Sequence, residues 1–140
     1  KALKISSTQN GLVIGCDQML SLGEEAFDKP KDIAEATAQL KKLAGKTHIL
    51  ETAIVIAEGG QLVWRNLARP KLTMRMFSDR FLGNYIEKMG GSLCSTVGGY
   101  QLEGVGSQLF EKIEGDYFSI LGLPLLPLMD YLRQRQALLS

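Results

Sequence analysis

The chain predicts an α/β fold, a single domain in which a mixed β-sheet is flanked by helices, and three observations carry that prediction. A segment with matched helix start and stop signals occupies about 33–44, and two β-rich runs meet at the hairpin signature Glu58-Gly59-Gly60. Strand-like and helix-like periods also alternate along the chain instead of falling into separate blocks. At 140 residues there is enough chain to bury one substantial core and too little for two, so residues 1–140 are read as one domain.

The first residues, Lys1-Ala2-Leu3-Lys4-Ile5-Ser6, place apolar side chains at helical spacing with no N-cap ahead of them. They read as a helix entered partway through, and part of the natural protein is expected to precede Lys1. Gly11-Leu12-Val13-Ile14-Gly15-Cys16 is a short apolar run bounded by turn residues, the pattern of a strand buried on both faces, and it ends on Asp17. Gln18-Met19-Leu20-Ser21-Leu22 alternates polar and apolar residues and predicts a second short strand before the turn at Gly23-Glu24-Glu25. Asp32 and Glu35 form a capping box with Lys29-Pro30 just outside, and Ile33, Ala36, Leu40 and Leu43 then recur at helical spacing until Gly45. Strands are predicted over 47–57 and 61–76, and Pro70, which has no N–H to give a sheet, puts the second at an edge or in a bulge. Ser78 caps a helix over 79–89 that Gly90-Gly91 ends. Beyond a glycine-rich stretch reaching Gly106, residues 107–113 resume a strand pattern. Glu114-Gly115-Asp116-Tyr117 reads as a turn, and 124–139 as a helix with Pro127 in its first turn, where proline is tolerated.

Composition narrows the function. Hydrophobic residues make up 45% and charged residues 22%, and 16 basic against 15 acidic side chains leave a net charge of +1, which gives no nucleic-acid footprint. No apolar run approaches the roughly 18 residues that a membrane span needs. Two cysteines, Cys16 and Cys94, match no metal spacing and make no disulfide framework, so a reduced, cytoplasmic setting is expected.

Asp17 is the first candidate for chemistry, because ligands of open α/β sheets bind at the carboxyl ends of strands; the same residue type also caps turns there for backbone reasons. Gly104-Val105-Gly106-Ser107 lacks the third glycine and the strand-to-helix setting of a dinucleotide loop, and there is no Gly-Lys-Ser/Thr phosphate loop. His48, the sole histidine, lies in a predicted strand, where packing or solvation is the ordinary fate and histidine-based nucleophilic catalysis is disfavoured. Trp64 with Arg65 and Arg69 could stack on a base, or could serve as surface or dimer contacts. The carboxylates Asp17, Glu103 and Asp116 and the lysines Lys1 and Lys29 lie beside predicted loops. Such a set suits Mg²⁺ and a polyphosphate, hence metal-assisted phosphoanhydride hydrolysis, and the same composition also describes solvated surface charge.

Five segments, in order and spacing, resemble the Maf family. They are Val13-Ile14-Gly15-Cys16-Asp17-Gln18, Asp28-Lys29-Pro30-Lys31-Asp32, Leu43-Ala44-Gly45-Lys46-Thr47-His48, Glu103-Gly104-Val105-Gly106, and Ile113-Glu114-Gly115-Asp116-Tyr117 with Leu121-Gly122-Leu123-Pro124-Leu125. The resemblance implies a septum-formation-related nucleotide pyrophosphatase of the α/β class, which cleaves a nucleoside triphosphate between its α and β phosphates. It further implies that Asp17 takes the proton of the attacking water and helps hold Mg²⁺ or Mn²⁺. Lys29, and with it Lys1, would neutralise phosphate charge. Gln18 and Glu103 match the subgroup acting on 7-methyl-GTP, where a carboxylate facing a methylated, positively charged guanine makes electrostatic sense. A homodimer, no nucleic-acid partner and no membrane partner are the corresponding expectations. The family's opening serine-rich segment with two arginines has no counterpart in these residues, and Ser95-Thr96 stands where many members carry an Asp-Lys pair. A non-catalytic nucleotide-binding regulator of cell division is the alternative.

Overall fold

The computed structural model describes residues 1–139, and its architecture is the predicted α/β class. The strands are β1 (Val13–Leu22), β2 (Glu25–Phe27), β3 (Thr47–Glu58), β4 (Gln61–Ala68), β5 (Lys71–Met74) and β6 (Phe110–Glu114). The α-helices are α1 (Ala2–Ser6), α2 (Ile33–Leu43), α3 (Asp79–Met89), α4 (Tyr117–Ile120) and α5 (Leu125–Gln134). The sheet runs β2-β1-β3-β5-β6 with β4 also pairing β3, and the pairs β1/β2, β3/β4, β3/β5 and β5/β6 are antiparallel. The chain resolves into two compact units: one takes 1–18, 51–69 and the chain from Asp116 onward, the other 19–50 and 70–115. No helix among the described residues is long and apolar enough to cross a membrane.

In the first unit, β3 and β4 form the predicted hairpin, with Thr52 opposite Ala68 and Glu58 opposite Gln61. Gly59 and Gly60 have φ of 56° and 79°, the left-handed pair that a tight hairpin turn requires. Ile54, Ile56 and Leu128 form the core here, joined by Leu12, Val63, Trp64, Leu123, Tyr131 and Leu132. Trp64 stacks on Tyr131 with ring centroids 5.1 Å apart, so its indole face is used in packing. Arg69 is paired with Glu51 at 2.8 Å. The last helix is shorter than its apolar pattern suggested. It ends at Gln134, and Gln136 at φ 57° turns the chain away. α4 had no periodicity to announce it; it forms because Asp116 caps it, accepting from Ser119 N at 2.8 Å.

In the second unit both predicted helices form where their caps stand. Asp32 accepts from Glu35 N at 2.8 Å, while Glu35 Oε2 accepts from Lys31 N at 3.0 Å, a capping box displaced by one residue. Ser78 accepts from Phe81 N at 3.2 Å. The predicted strand over 61–76 is two strands, because Pro70 interrupts it: β5 pairs the start of β3, with Thr47 opposite Thr73 and Ile49 opposite Lys71. The pattern over 107–113 also divides, a 3₁₀ turn at Val105–Leu109 preceding β6.

His48 is 1% exposed in this unit, with Nε2 2.7 Å from the Tyr100 hydroxyl and Phe110 packed beside it. Burial holds its pKa down at about 4. The folded chain therefore binds fewer protons than the unfolded chain between about pH 6.5 and 4. Stability that is fully present above pH 6.5 is lost as pH falls through that window, by about 3 kcal/mol at most. Calorimetry should show Tm falling from pH 7 to 4, with a shallower fall in His48→Gln. An identical slope in the two proteins would contradict this role.

Candidate functional site

Asp17 sits in the middle of β1, not at its end, and the strand is continuous where two short ones were expected. Nor is the strand buried on both faces: Val13 and Gly15 are half-buried, and Ile14, Cys16, Asp17 and Met19 are exposed. The reason is local, since α1, which packs on this stretch at Gly15, is only five residues long. Gly15 permits that approach: a Cβ there would meet the Ala2 Cβ at 2.9 Å and Val55 Cγ2 at 3.3 Å. The other end of α1 is fixed by Ser6, whose hydroxyl accepts from Gly60 N at 3.1 Å.

Between α1, β1 and β3 the first unit forms an open pocket of about 390 Å³, lined by Lys1, Ala2, Gly15, Cys16, Asp17, Ala53 and Val55. Lys1 and Asp17 are thus brought to one cavity. Asp17 Oδ1 accepts from Gln18 N at 2.9 Å, and Oδ2 has no partner among the described residues, which leaves one carboxylate oxygen to the pocket. Gln18 follows Asp17 in the strand, and its side chain turns away, as strand alternation requires. Its Nε2 donates to Thr52 Oγ1 at 2.8 Å and lies 3.1 Å from the carbonyls of Ser119 and Ile120. Cys16 does the same on its own side of Asp17, its thiol donating to the Gly122 carbonyl at 2.8 Å. Desolvation of the sulfur raises the thiol above its ordinary pKa, which keeps it a neutral donor.

Two further candidates lie in the second unit. Lys29 is exposed in the irregular stretch before α2, beside the buried Pro30, and Glu103 is exposed on a turn. Asp116, in the first unit, commits one carboxylate oxygen inside the chain: its Oδ2 takes both the N–H and the hydroxyl of Ser119, at 2.8 and 2.7 Å.

The sequence profile of the family described as "Maf-like protein" matches residues 1–135. The chain belongs to the Maf-like family. It is 62% identical over 138 residues to a "Nucleoside triphosphate pyrophosphatase" of Hyphomonas neptunium, covering 99% of this chain and 70% of that protein. A "7-methyl-GTP pyrophosphatase" of Brucella abortus is 50% identical over 139 residues, again 99% of this chain and 70% of the relative. A "Nucleoside triphosphate pyrophosphatase" of Caulobacter vibrioides is 51% identical over 138 residues, 99% and 69%.

In this Maf-like chain no group of three His, Cys, Asp or Glu side chains gathers among the described residues. A single open carboxylate still fits Mg²⁺, which is commonly held by one or two carboxylates together with substrate phosphates and water. Asp17, with Oδ2 uncommitted, is the residue that would hold it. What sequence reasoning missed is the support beneath the site: Thr52, Ser119 and Gly122. Thr52 left a trace, as the one polar residue between Leu50 and Ile54 in the buried alternation of β3. Ser119 and Gly122 act through backbone carbonyls, which no side-chain pattern encodes.

Proposed function

We propose that this chain hydrolyses a nucleoside triphosphate at the α–β phosphoanhydride, giving the monophosphate and pyrophosphate. The observation that carries the reading is the shared pocket of Asp17 and Lys1, in a chain whose close relatives bear pyrophosphatase names. Asp17 takes a proton from water there, its unpaired oxygen being the one free carboxylate oxygen on the cavity wall among the described residues. Lys1 from the same wall, and Lys29, supply positive charge against the phosphates. Bound Mg²⁺ would supply further neutralisation of the departing pyrophosphate.

The substrate we propose is 7-methyl-GTP or a similarly modified nucleotide, with Glu103 as the discriminating carboxylate. Exposed on its turn, Glu103 can accept from guanine N–H donors and offset the charge of N7-methylation. Gln18 has already given its amide nitrogen to the protein and keeps only Oε1 for a ligand. Comparing kcat/KM for 7-methyl-GTP, GTP, UTP and dTTP tests this. Glu103→Gln should lower the preference for 7-methyl-GTP over UTP by about ten- to a hundred-fold with the fold unchanged. A preference that does not move would remove Glu103 from recognition.

A further inference from the structure

The first unit contains a polar chain beneath α4 that the pyrophosphatase reading leaves unused. Thr52 is 0% and Ser119 2% exposed, and buried polar groups cost stability unless every one is bonded. Here they are. Asp116 Oδ2 takes the Ser119 N–H and hydroxyl, at 2.8 and 2.7 Å, the Thr52 hydroxyl donates to the Ser119 carbonyl at 2.9 Å, and Gln18 Nε2 donates to Thr52 Oγ1 at 2.8 Å. The carbonyls of Ser119 and Ile120 complete the surroundings of that nitrogen at 3.1 Å each. This also decides which way the amide points, because in the flipped orientation Oε1 would face two carbonyl oxygens with no hydrogen between them.

The chain of bonds ends one residue past Asp17, and the Cys16 thiol on the Gly122 carbonyl ends one residue before it. Both ties run from β1 to the segment 119–122. We propose that the chain Asp116, Ser119, Thr52 and Gln18 on one flank, with the Cys16–Gly122 bond on the other, acts as a positioning device that holds the Asp17 carboxylate. Gln18 is then a positioning residue through its amide nitrogen. This rests on Asp17 being the proton acceptor, because placement of a catalytic group matters where a displacement of about 1 Å can cost a hundred-fold in rate.

The test is Thr52→Val, which keeps the buried shape and removes only the hydroxyl, with Thr52→Ser as the conservative partner. Thr52→Val is expected to lower kcat about ten-fold with KM within about two-fold of the parent and the ratio of kcat/KM for 7-methyl-GTP over UTP unchanged. Backbone amide exchange over 16–18 and 119–122 should accelerate, and Thr52→Ser should restore both rate and protection. Exchange left unchanged by Thr52→Val would overturn the proposal. So would a shifted nucleotide preference at constant kcat, the mark of a base-reading Gln18. Failure of the pyrophosphatase reading looks different: the parent chain would release no pyrophosphate from any nucleotide, while the exchange contrast between Val and Ser remained.

Discussion

Asp17→Asn is expected to lower kcat for nucleotide hydrolysis by about 10² to 10⁴, the usual contribution of a placed general base, and to leave Tm almost unchanged. The two halves of that expectation come from the same geometry. Asp17 is exposed, and its side chain's one bond among the described residues, Oδ1 accepting from Gln18 N at 2.9 Å, is one that an asparagine carbonyl can still make. What asparagine cannot do is take a proton from water, because its amide is not a base in this range. Substrate binding should weaken only modestly if the lysines carry most of the phosphate attraction. The assay is pyrophosphate release beside a calorimetric Tm, and turnover near the parent level would take Asp17 out of the mechanism.

The second large effect is structural. Gly106→Ala should destabilise the chain by about 2–4 kcal/mol, because overpacking against fixed backbone has no inexpensive relief. A Cβ at this buried position would lie 2.3 Å from the Gln101 carbonyl oxygen and 2.9 Å from the Gln101 C and N atoms. Gln101 cannot retreat without loss, since its carbonyl accepts from Gly104 N at 3.3 Å and so closes the turn that carries Glu103. Gly91→Ala is the control: a Cβ there meets nothing within 4 Å, and it should cost little. A Gly106→Ala protein melting within a degree or two of the parent would contradict the steric account. Gly106, part of a segment that lacks the third glycine of a dinucleotide loop, is thereby explained by close backbone packing.

These effects also show where sequence patterns suffice and where they stop. Residues 33–43 and 79–89 are helical as read, because capping by Asp32 and Ser78 is a local event between residues three apart. The Glu58-Gly59-Gly60 hairpin was legible for the same reason, the left-handed φ values being a property of the glycines themselves. Asp17 was proposed for its place at the end of a buried strand, and the structure puts it instead in the middle of an exposed stretch that lines a pocket. A run of apolar residues from Val13 to Cys16 suggested a strand covered on both faces, and coverage depends on what packs there, here only the short α1. The division of 61–76 at Pro70 was half visible, since proline marks a break but not which neighbour each half pairs with. Asp116 illustrates the limit most clearly. Composition made it a metal candidate, and only the structure shows both of its Ser119 bonds.

The family resemblance implied roles for Asp17 and Lys1 that no spacing rule relates; in the structure both residues line one pocket. Gln18 was its least transparent assignment: identity alone gives no direction for a side chain, and the amide is found bonded to Thr52, Ser119 and Ile120.

Product analysis by phosphorus NMR, with 7-methyl-GTP and Mg²⁺, tests the central claim most directly. The account predicts the 7-methylguanosine monophosphate and pyrophosphate in equal amounts from the parent chain, and the same products formed about 10² to 10⁴ times more slowly by Asp17→Asn. Release of orthophosphate and the diphosphate, or equal turnover by the two proteins, would contradict it.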